Sequence, residues 1–368
     1  MANQYKQNCT VLPTHFLGMH LMKTQNKNDI SQIKHLFGLQ ITERCNLHCG
    51  HCLFSADKNG KDMSLIDLVR WLNELDETRQ YTEIGFSGGE PFIAFNLLRE
   101  GITKACSLGL KTTVVTNAFW ADSLNNALKI LKKLGPLSLL GVSFDKFHQE
   151  FIPIDNLRNA ILAANHIGIK TTIRFTYLWD ENLERKEVER IFSDITNITT
   201  IESQPMLNAG RASHFSDENG FENAFDKMVN KPCAASNVHM LAPDGTVYLC
   251  CGPAAVLKKN NPLKLGNLYE KSFKSILEDE ENNLIIQAIR VFGPSYLLNF
   301  IEEKGCFQDY ESKKDHCDLC LSLMENTDLI DTINMKLHEQ SIERKIAVMR
   351  FLLYQENEML RRLDKATI

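Results

Sequence analysis

Short apolar runs recur along the chain at GLQIT (38 to 42), TEIGFS (82 to 87), KTTVVT (111 to 116), LSLLGVSF (137 to 144), KTTIRFTY (170 to 177) and TTIESQPM (199 to 206). After the first, their spacing is close to about 30 residues, the length of one strand–helix unit. Between them lie helix-like stretches such as SLIDLVRWLNELDE, NLLREGITKACSLG, LNNALKILKKLG and NLRNAILAANHIG. Several end in Gly, a common helix stop. Alternation of this kind demands a parallel sheet. The expected fold class is α/β, a partial, open (β/α)6 parallel barrel over 37–230.

From 231 the period is lost. The segment KPCAASNVHMLAPDGTVYLCCGPA reads as a strand, an Asp-Gly turn and a second strand, and LKLGNLYEKSFKSILEDEENNL leads into a helix. This defines a small module over 231–325. The last part, 326–368, is expected to be a C-terminal helix. Over 334 to 364 its inner stripe would be Ile342, Ile346, Met349, Leu353, Leu360 and Leu363. Residues 1–36 form an N-terminal extension with at most a short hairpin.

At 368 residues and 43% hydrophobic, the chain can bury a large core and is long for one simple domain. A net charge of −5 and a pI near 6.1 give no footprint for nucleic acid. The N-terminus MANQYKQNCTVLPTHF lacks a secretory pattern, and no segment is suited to span a bilayer. The expectation is a cytoplasmic protein with no membrane and no nucleic-acid partner. There the eleven cysteines are not a disulfide framework, and clustered ones point to metal. Cys9 and Cys106 read as ordinary buried small residues.

Polar residues gather at the C-terminal ends of the strands: Cys45, Ser87 to Glu90, Asn117, Ser143 to His148, Arg174, and Met206 to Arg211. In parallel barrels that face carries the chemistry. Taken singly, Asn117 or Ser143 reads equally well as a cap or a solvated loop residue. Cys45, Cys49 and Cys52 follow the first strand in a C-x3-C-x2-C spacing. Three thiolates on one loop can hold three corners of an iron–sulfur cube and leave one iron free. The alternatives are zinc, with His48 or His51 as a fourth ligand, and three unrelated core cysteines. Cys233, Cys250, Cys317 and Cys320 form a second set that can enclose a further cube or a zinc ion. Cys250 and Cys251 are adjacent on a strand-like stretch, so their side chains should face opposite ways. Cys250 completes a Gly-x4-Cys spacing with Gly245 and is assigned to the second set; Cys251 takes the other face, where it is either functional or a small buried residue.

The cysteine triad and the segment Ser87-Gly88-Gly89-Glu90-Pro91 together resemble the radical S-adenosylmethionine (SAM) superfamily. The resemblance implies a [4Fe-4S] cluster whose open iron chelates SAM, with Gly89 and Glu90 at the methionyl amino group. It places His51, Ser87 and Gly88 in the same cofactor-binding set, Arg174 against the methionyl carboxylate, Ser143 at the ribose, and Asn117 and Asn208 as further contacts. The second set resembles the shortened, twitch-like auxiliary-cluster module of the SPASM group. No C-x3-C follows Cys320 and Cys306 stands alone, which leaves room for one auxiliary [4Fe-4S] cluster.

Asn117-Ala-Phe-Trp, Ser143-Phe-Asp-Lys-Phe-His148, Pro205-Met-Leu-Asn-Ala-Gly210, Tyr248-Leu-Cys-Cys-Gly-Pro253 and Cys317-x2-Cys320 look like the radical SAM peptide epimerases. That likeness implies abstraction of a backbone α-hydrogen from a ribosomally made precursor peptide and hydrogen return from a thiol, by position Cys251. It also implies a monomer served by a flavodoxin or ferredoxin-type electron donor. One departure is Asn237, where those epimerases carry an acidic residue. The alternatives are peptide cross-linking, a non-catalytic metal-bound scaffold or peptide carrier, and a mononuclear metal site at Asp145 and His148. Residues 1–36 are too short for a domain that grips leader peptides.

Overall fold

The structure is a computed structural model, and it describes residues 35–178, 180–214, 231–250, 252–257, 261–301, 315–354 and 356. The expected N-terminal hairpin and Cys9, Cys251, Cys306, Leu360 and Leu363 lie outside the described residues. The described chain falls into two compact units, one built from residues 36–214 with Leu241–Gly245 and the other from the remainder.

In the first unit six strands, β1 (Leu36–Thr42), β2 (Glu83–Gly88), β3 (Lys111–Thr116), β4 (Leu139–Ser143), β5 (Lys170–Tyr177) and β6 (Thr200–Pro205), pair in sequence order, each parallel to the next. This is the α/β parallel sheet expected. β1 is buried from Phe37 to Thr42 on both faces, which explains why it reads as an unbroken apolar run rather than an alternating one. Helices α1 (Leu65–Glu77), α2 (Phe95–Ser107), α3 (Leu124–Leu134), α4 (Lys146–Gln149), α5 (Ile154–His166) and α6 (Glu181–Ile191) fill the connections. α1 buries Leu68, Trp71, Leu72 and Leu75, one stripe at helical spacing, and Ser64 caps it by accepting from Asp67 N. α2 packs close at Gly101, where a Cβ would lie 2.7 Å from the Phe86 ring. The edge strand β6 is polar and half-exposed. Cys106 on α2 is half-buried rather than fully buried, because its sulfur points out toward the Pro136 carbonyl at 3.5 Å.

The Asp244-Gly245 turn follows a two-residue strand, β7 (Met240–Leu241), with Gly245 at φ +81, and in the second unit β8 (Thr246–Tyr248) pairs antiparallel with β9 (Lys264–Asn267). Two helices, α7 (Phe273–Asn282) and α8 (Leu284–Phe292), are separated only by Asn283, whose side chain caps the second by accepting from Ile285 N and Ile286 N. Ile285, Ile286, Ile289, Leu319, Leu323 and Ile333 share its core. Beneath that core Glu280, Arg290 and His239 form a buried polar trio: Arg290 donates to Glu280 and to Gln287 Oε1 at 2.9 Å, and His239 Nε2 lies 3.1 Å from Glu280 Oε1.

Two expectations need correction here. The stretch from 334 is not one helix. Thr327–Leu337 and Gln340–Tyr354 are separate helices, broken where Glu339 N bonds to Lys336 O. Ile346 is buried and Ile342, Met349 and Leu353 pack beside it, so the stripe is real but belongs to the second helix alone. Cys250 lies beyond the end of β8, in a bend, so strand alternation does not set its direction relative to Cys251.

Candidate functional site

The loop after β1 is folded back on itself. Cys45 N donates to Asp57 O at 2.7 Å and Glu43 N to Lys61 O at 2.8 Å. Asp62 receives Thr42 Oγ1 at 2.6 Å and Arg44 Nε at 2.8 Å. Cys45, Cys49 and Cys52 therefore sit on a closed loop at the C-terminal end of the sheet. Burial pushes the Cys45 thiol up to about 11, with the charges of Glu90 and Cys52 adding to the rise, and the Cys49 thiol up to about 12, with Cys45, Cys52 and Asp145 adding. Thiols so placed ionise only against a metal.

Zinc does not fit them well. Tetrahedral ligation at about 2.3 Å puts sulfurs roughly 3.8 Å apart. Among the described residues, the group of three ligating side chains whose ligand atoms all lie within 4.8 Å is His51, Asp145 and His148, not the cysteines. A cube spreads its sulfurs more widely and suits this loop.

The Ser87-Gly88-Gly89-Glu90 segment lies directly against that loop. Gly89 N donates to Thr42 O and Glu90 N to Arg44 O, both at 2.8 Å. A Cβ on Gly89 would fall 2.1 Å from Arg44 O, and one on Gly88 2.3 Å from Thr42 O. The glycines are required because backbone meets backbone here. Glu90 is buried, with Oε1 accepting from Phe92 N at 3.0 Å and Thr116 Oγ1 at 2.8 Å, and Oε2 from Asn117 N at 2.8 Å. Burial outweighs these bonds and lifts its carboxyl to about 7. A buried carboxylate lacking a full positive partner fits an ammonium such as that of SAM.

Asn117 Nδ2 reaches Asn46 Oδ1 at 3.0 Å, tying the β3 end to the cysteine loop. His51 stacks on Phe147, ring centroids 4.7 Å apart, and its Nε2 lies 3.4 Å from Asp145 Oδ2. His148 Nδ1 lies 2.9 Å from the same oxygen, while Oδ1 accepts from Phe147 N and His148 N. Burial pulls His51 down to about 4, opposed by Asp145. The Asp145 and His148 pair considered as a metal site is thus joined by His51, with the ligand atoms of all three within 4.8 Å of one another.

Arg174 and Ser143 are register partners across β4 and β5. Arg174 Nη2 reaches Gln204 Oε1 at 3.3 Å and its Nε lies 4.0 Å from Glu202. Asn208 is half-buried in the segment after β6.

In the second unit Cys317 and Cys320 start the helix His316–Glu325, capped by Asp315, and Cys233 opens a short turn. Burial raises the Cys317 and Cys320 thiols well above their usual range, with Asp315 adding to the first and Cys233 and Cys250 to both, so the four thiols lie within electrostatic reach of one another. Burial also raises Cys233, eased by backbone hydrogen bonds from Ser236 and Ala235 and by Arg290. Asn237 hydrogen-bonds Tyr354.

Contacts that motif reading passed over are those of Thr116, Asn46, Arg44 with Asp62, Arg290 and Arg211. Their only signal in the sequence is position near a strand end or a cysteine, and nothing in the spacing names the partner.

Residues 39–192 match the Radical SAM superfamily and 233–320 the SPASM iron–sulfur cluster-binding domain. YydG of Bacillus subtilis (strain 168), named for peptide biosynthesis, is 22% identical over 302 residues, covering 80% of this chain and 93% of its own. An S-adenosylmethionine-dependent nucleotide dehydratase of Pseudoalteromonas ulvae is 29% identical over 183 residues, covering 40% of this chain and 58% of the relative. The structure of Streptococcus suis SuiB bound to S-adenosylmethionine shares 18% identity over 67% of this chain and 66% of that one, with a TM-score of 0.44. No helix among the described residues is long and apolar enough to cross a membrane. The chain joins a radical SAM domain, with its [4Fe-4S] cluster and SAM, to a SPASM domain that carries an auxiliary iron–sulfur cluster: it is a radical SAM enzyme.

Proposed function

We propose that this enzyme epimerises a residue of a ribosomally made peptide. The observation that carries the reading is the likeness to YydG, which runs through both domains rather than through the SAM-binding part alone. The Cys250-Cys251 pair and the Asn117, Ser143 and Pro205 segments, which resemble the peptide epimerases, point the same way.

When bound and reduced, the cluster and SAM supply a 5′-deoxyadenosyl radical that removes a hydrogen atom from the peptide α-carbon. The protein's own residues orient and exclude water. In this reading Glu90, held by Thr116, Asn117 and Phe92, receives the methionyl ammonium, and the close backbone approach at Gly88 and Gly89 fixes its height above the cysteine loop. His51, braced by Asp145 and Phe147, forms one wall, with Ser87, Ser143, Asn117, Arg174 and Asn208 as further cofactor contacts. Cys251 keeps its proton and gives a hydrogen atom to the opposite face of the α-carbon. Its S–H bond breaks as the new C–H bond forms. One electron and one proton, from an external one-electron donor and water, then restore the thiol. Cys233, Cys250, Cys317 and Cys320 hold the auxiliary cluster.

Heavy-water turnover with a candidate precursor peptide tests this. The expected product is one mass unit heavier per inverted residue, and Cys251→Ala should keep both clusters and still release 5′-deoxyadenosine while losing that product. Normal turnover of Cys251→Ala with no solvent deuterium in the parent product would replace epimerisation by cross-linking.

A further inference from the structure

We infer that Arg211 is the positioning residue that sets the shape of the cysteine loop, acting as a clamp from the segment after β6 onto three carbonyls of that loop. Arg211 Nε donates to Cys49 O at 2.8 Å, its Nη1 to Ala56 O at 2.9 Å, and its backbone N to Cys52 O at 3.0 Å. One residue thus holds the backbone of two of the three cysteines and the end of their loop, across 155 positions of sequence to Ala56 and 162 to Cys49.

The residue before it makes this approach possible. Gly210 has φ +63, and a Cβ there would lie 2.1 Å from Leu53 O and 2.6 Å from Cys52 O. Only glycine lets the β6 end come so near. Within the stretch from Cys49 to Ser55 the backbone bonds Cys52 N to Cys49 O and Ser55 N to Cys52 O are both 3.2 Å, longer than the three that Arg211 supplies.

The guanidinium is planar with donors in a fixed fork, so Nε and Nη1 can meet Cys49 O and Ala56 O together. Lysine carries the charge but not the fork. The clamp rests on the assignment of Cys45, Cys49 and Cys52 as cluster ligands, and not on the identity of the peptide.

The test uses the anaerobically reconstituted holoprotein and follows iron capture by a ferrous chelator. Iron that is missing from the Cys45→Ala, Cys49→Ala, Cys52→Ala triple variant defines the cluster at this loop. Arg211→Gln should release that iron about 10- to 100-fold faster, the usual effect of losing a residue that orients metal ligands. Release of auxiliary iron should stay unchanged, which separates a clamp from general destabilisation. Arg211→Lys, retaining the charge, should behave like Arg211→Gln. Release within about twofold of the parent in Arg211→Gln, equal acceleration of both sets of iron, or full rescue by Arg211→Lys would each overturn the clamp. If the triple variant keeps all its iron, the ligand assignment beneath it is wrong.

Discussion

Glu90 is built to bind charge at the expense of stability, and Glu90→Gln exposes the trade. A carboxyl lifted from its ordinary 4.5 to about 7 makes the folded protein hold a proton that the unfolded chain releases. That contribution is complete below pH 4.5 and fades as pH rises to about 7. At 1.36 kcal/mol per pH unit, the parent loses roughly 2.5 kcal/mol between pH 5 and pH 8 from this group alone. Glutamine does not titrate. It also cannot offer both oxygens, so one of the donors now shared by Thr116, Phe92 and Asn117 is left with about 1–3 kcal/mol of unmet bonding at every pH. In urea melts of the apo, reduced protein, Glu90→Gln should therefore be less stable than the parent at pH 5, and the gap should close or invert by pH 8. SAM binding at pH 8 should meanwhile collapse, because the ammonium has lost its carboxylate. Parallel pH profiles, differing by less than about 0.5 kcal/mol in slope between these limits, would refute the argument that burial dominates at Glu90.

The two cofactor sites should hold about eight irons if both are four-iron cubes, and replacing Cys45, Cys49 and Cys52 together by Ala should remove half of them and all SAM cleavage. Stoichiometric zinc in the isolated protein would count against this. In the second unit, Arg290→Met leaves Glu280 buried beside His239 without its cation and should cost about 3–5 kcal/mol in thermal or denaturant unfolding. The double variant Arg290→Met, Glu280→Gln should recover much of that loss; if it is no more stable than the single variant, the trio is not held together by charge.

Much of the first unit is legible because its inner strands are largely buried and read as short runs rich in β-branched residues, whereas the edge strand β6 is polar and half-exposed. β3 and β5 coincide with KTTVVT and KTTIRFTY at both ends. The places where pattern misleads have local physical causes. The helical phase of Ile342, Ile346, Met349 and Leu353 is preserved, yet a turn at His338 and Glu339 starts that helix afresh, because periodicity records a face and not a boundary. At Cys250, two apolar neighbours prolong a strand-like reading past Tyr248, where the ladder has already shifted register.

The cofactor site divides along the same line. Side chains proposed to touch iron or SAM carry their own signal, since chemistry demands cysteines at fixed spacing and glycines where backbones meet. The residues that hold those groups in place do not, because a bond to a carbonyl leaves no requirement on the residue that owns the carbonyl. Arg211 meets Cys49 through its peptide oxygen, so any residue at 49 would present the same acceptor and no motif could record the pair. Asp145 is intermediate: its short spacing to His148 hints at contact, whereas its approach to His51, 3.4 Å away across the sheet end, appears only once β4 and the cysteine loop are folded together. Supporting residues of this kind are thus where the folded structure adds most, and variants there separate the assembly of the site from the chemistry it performs.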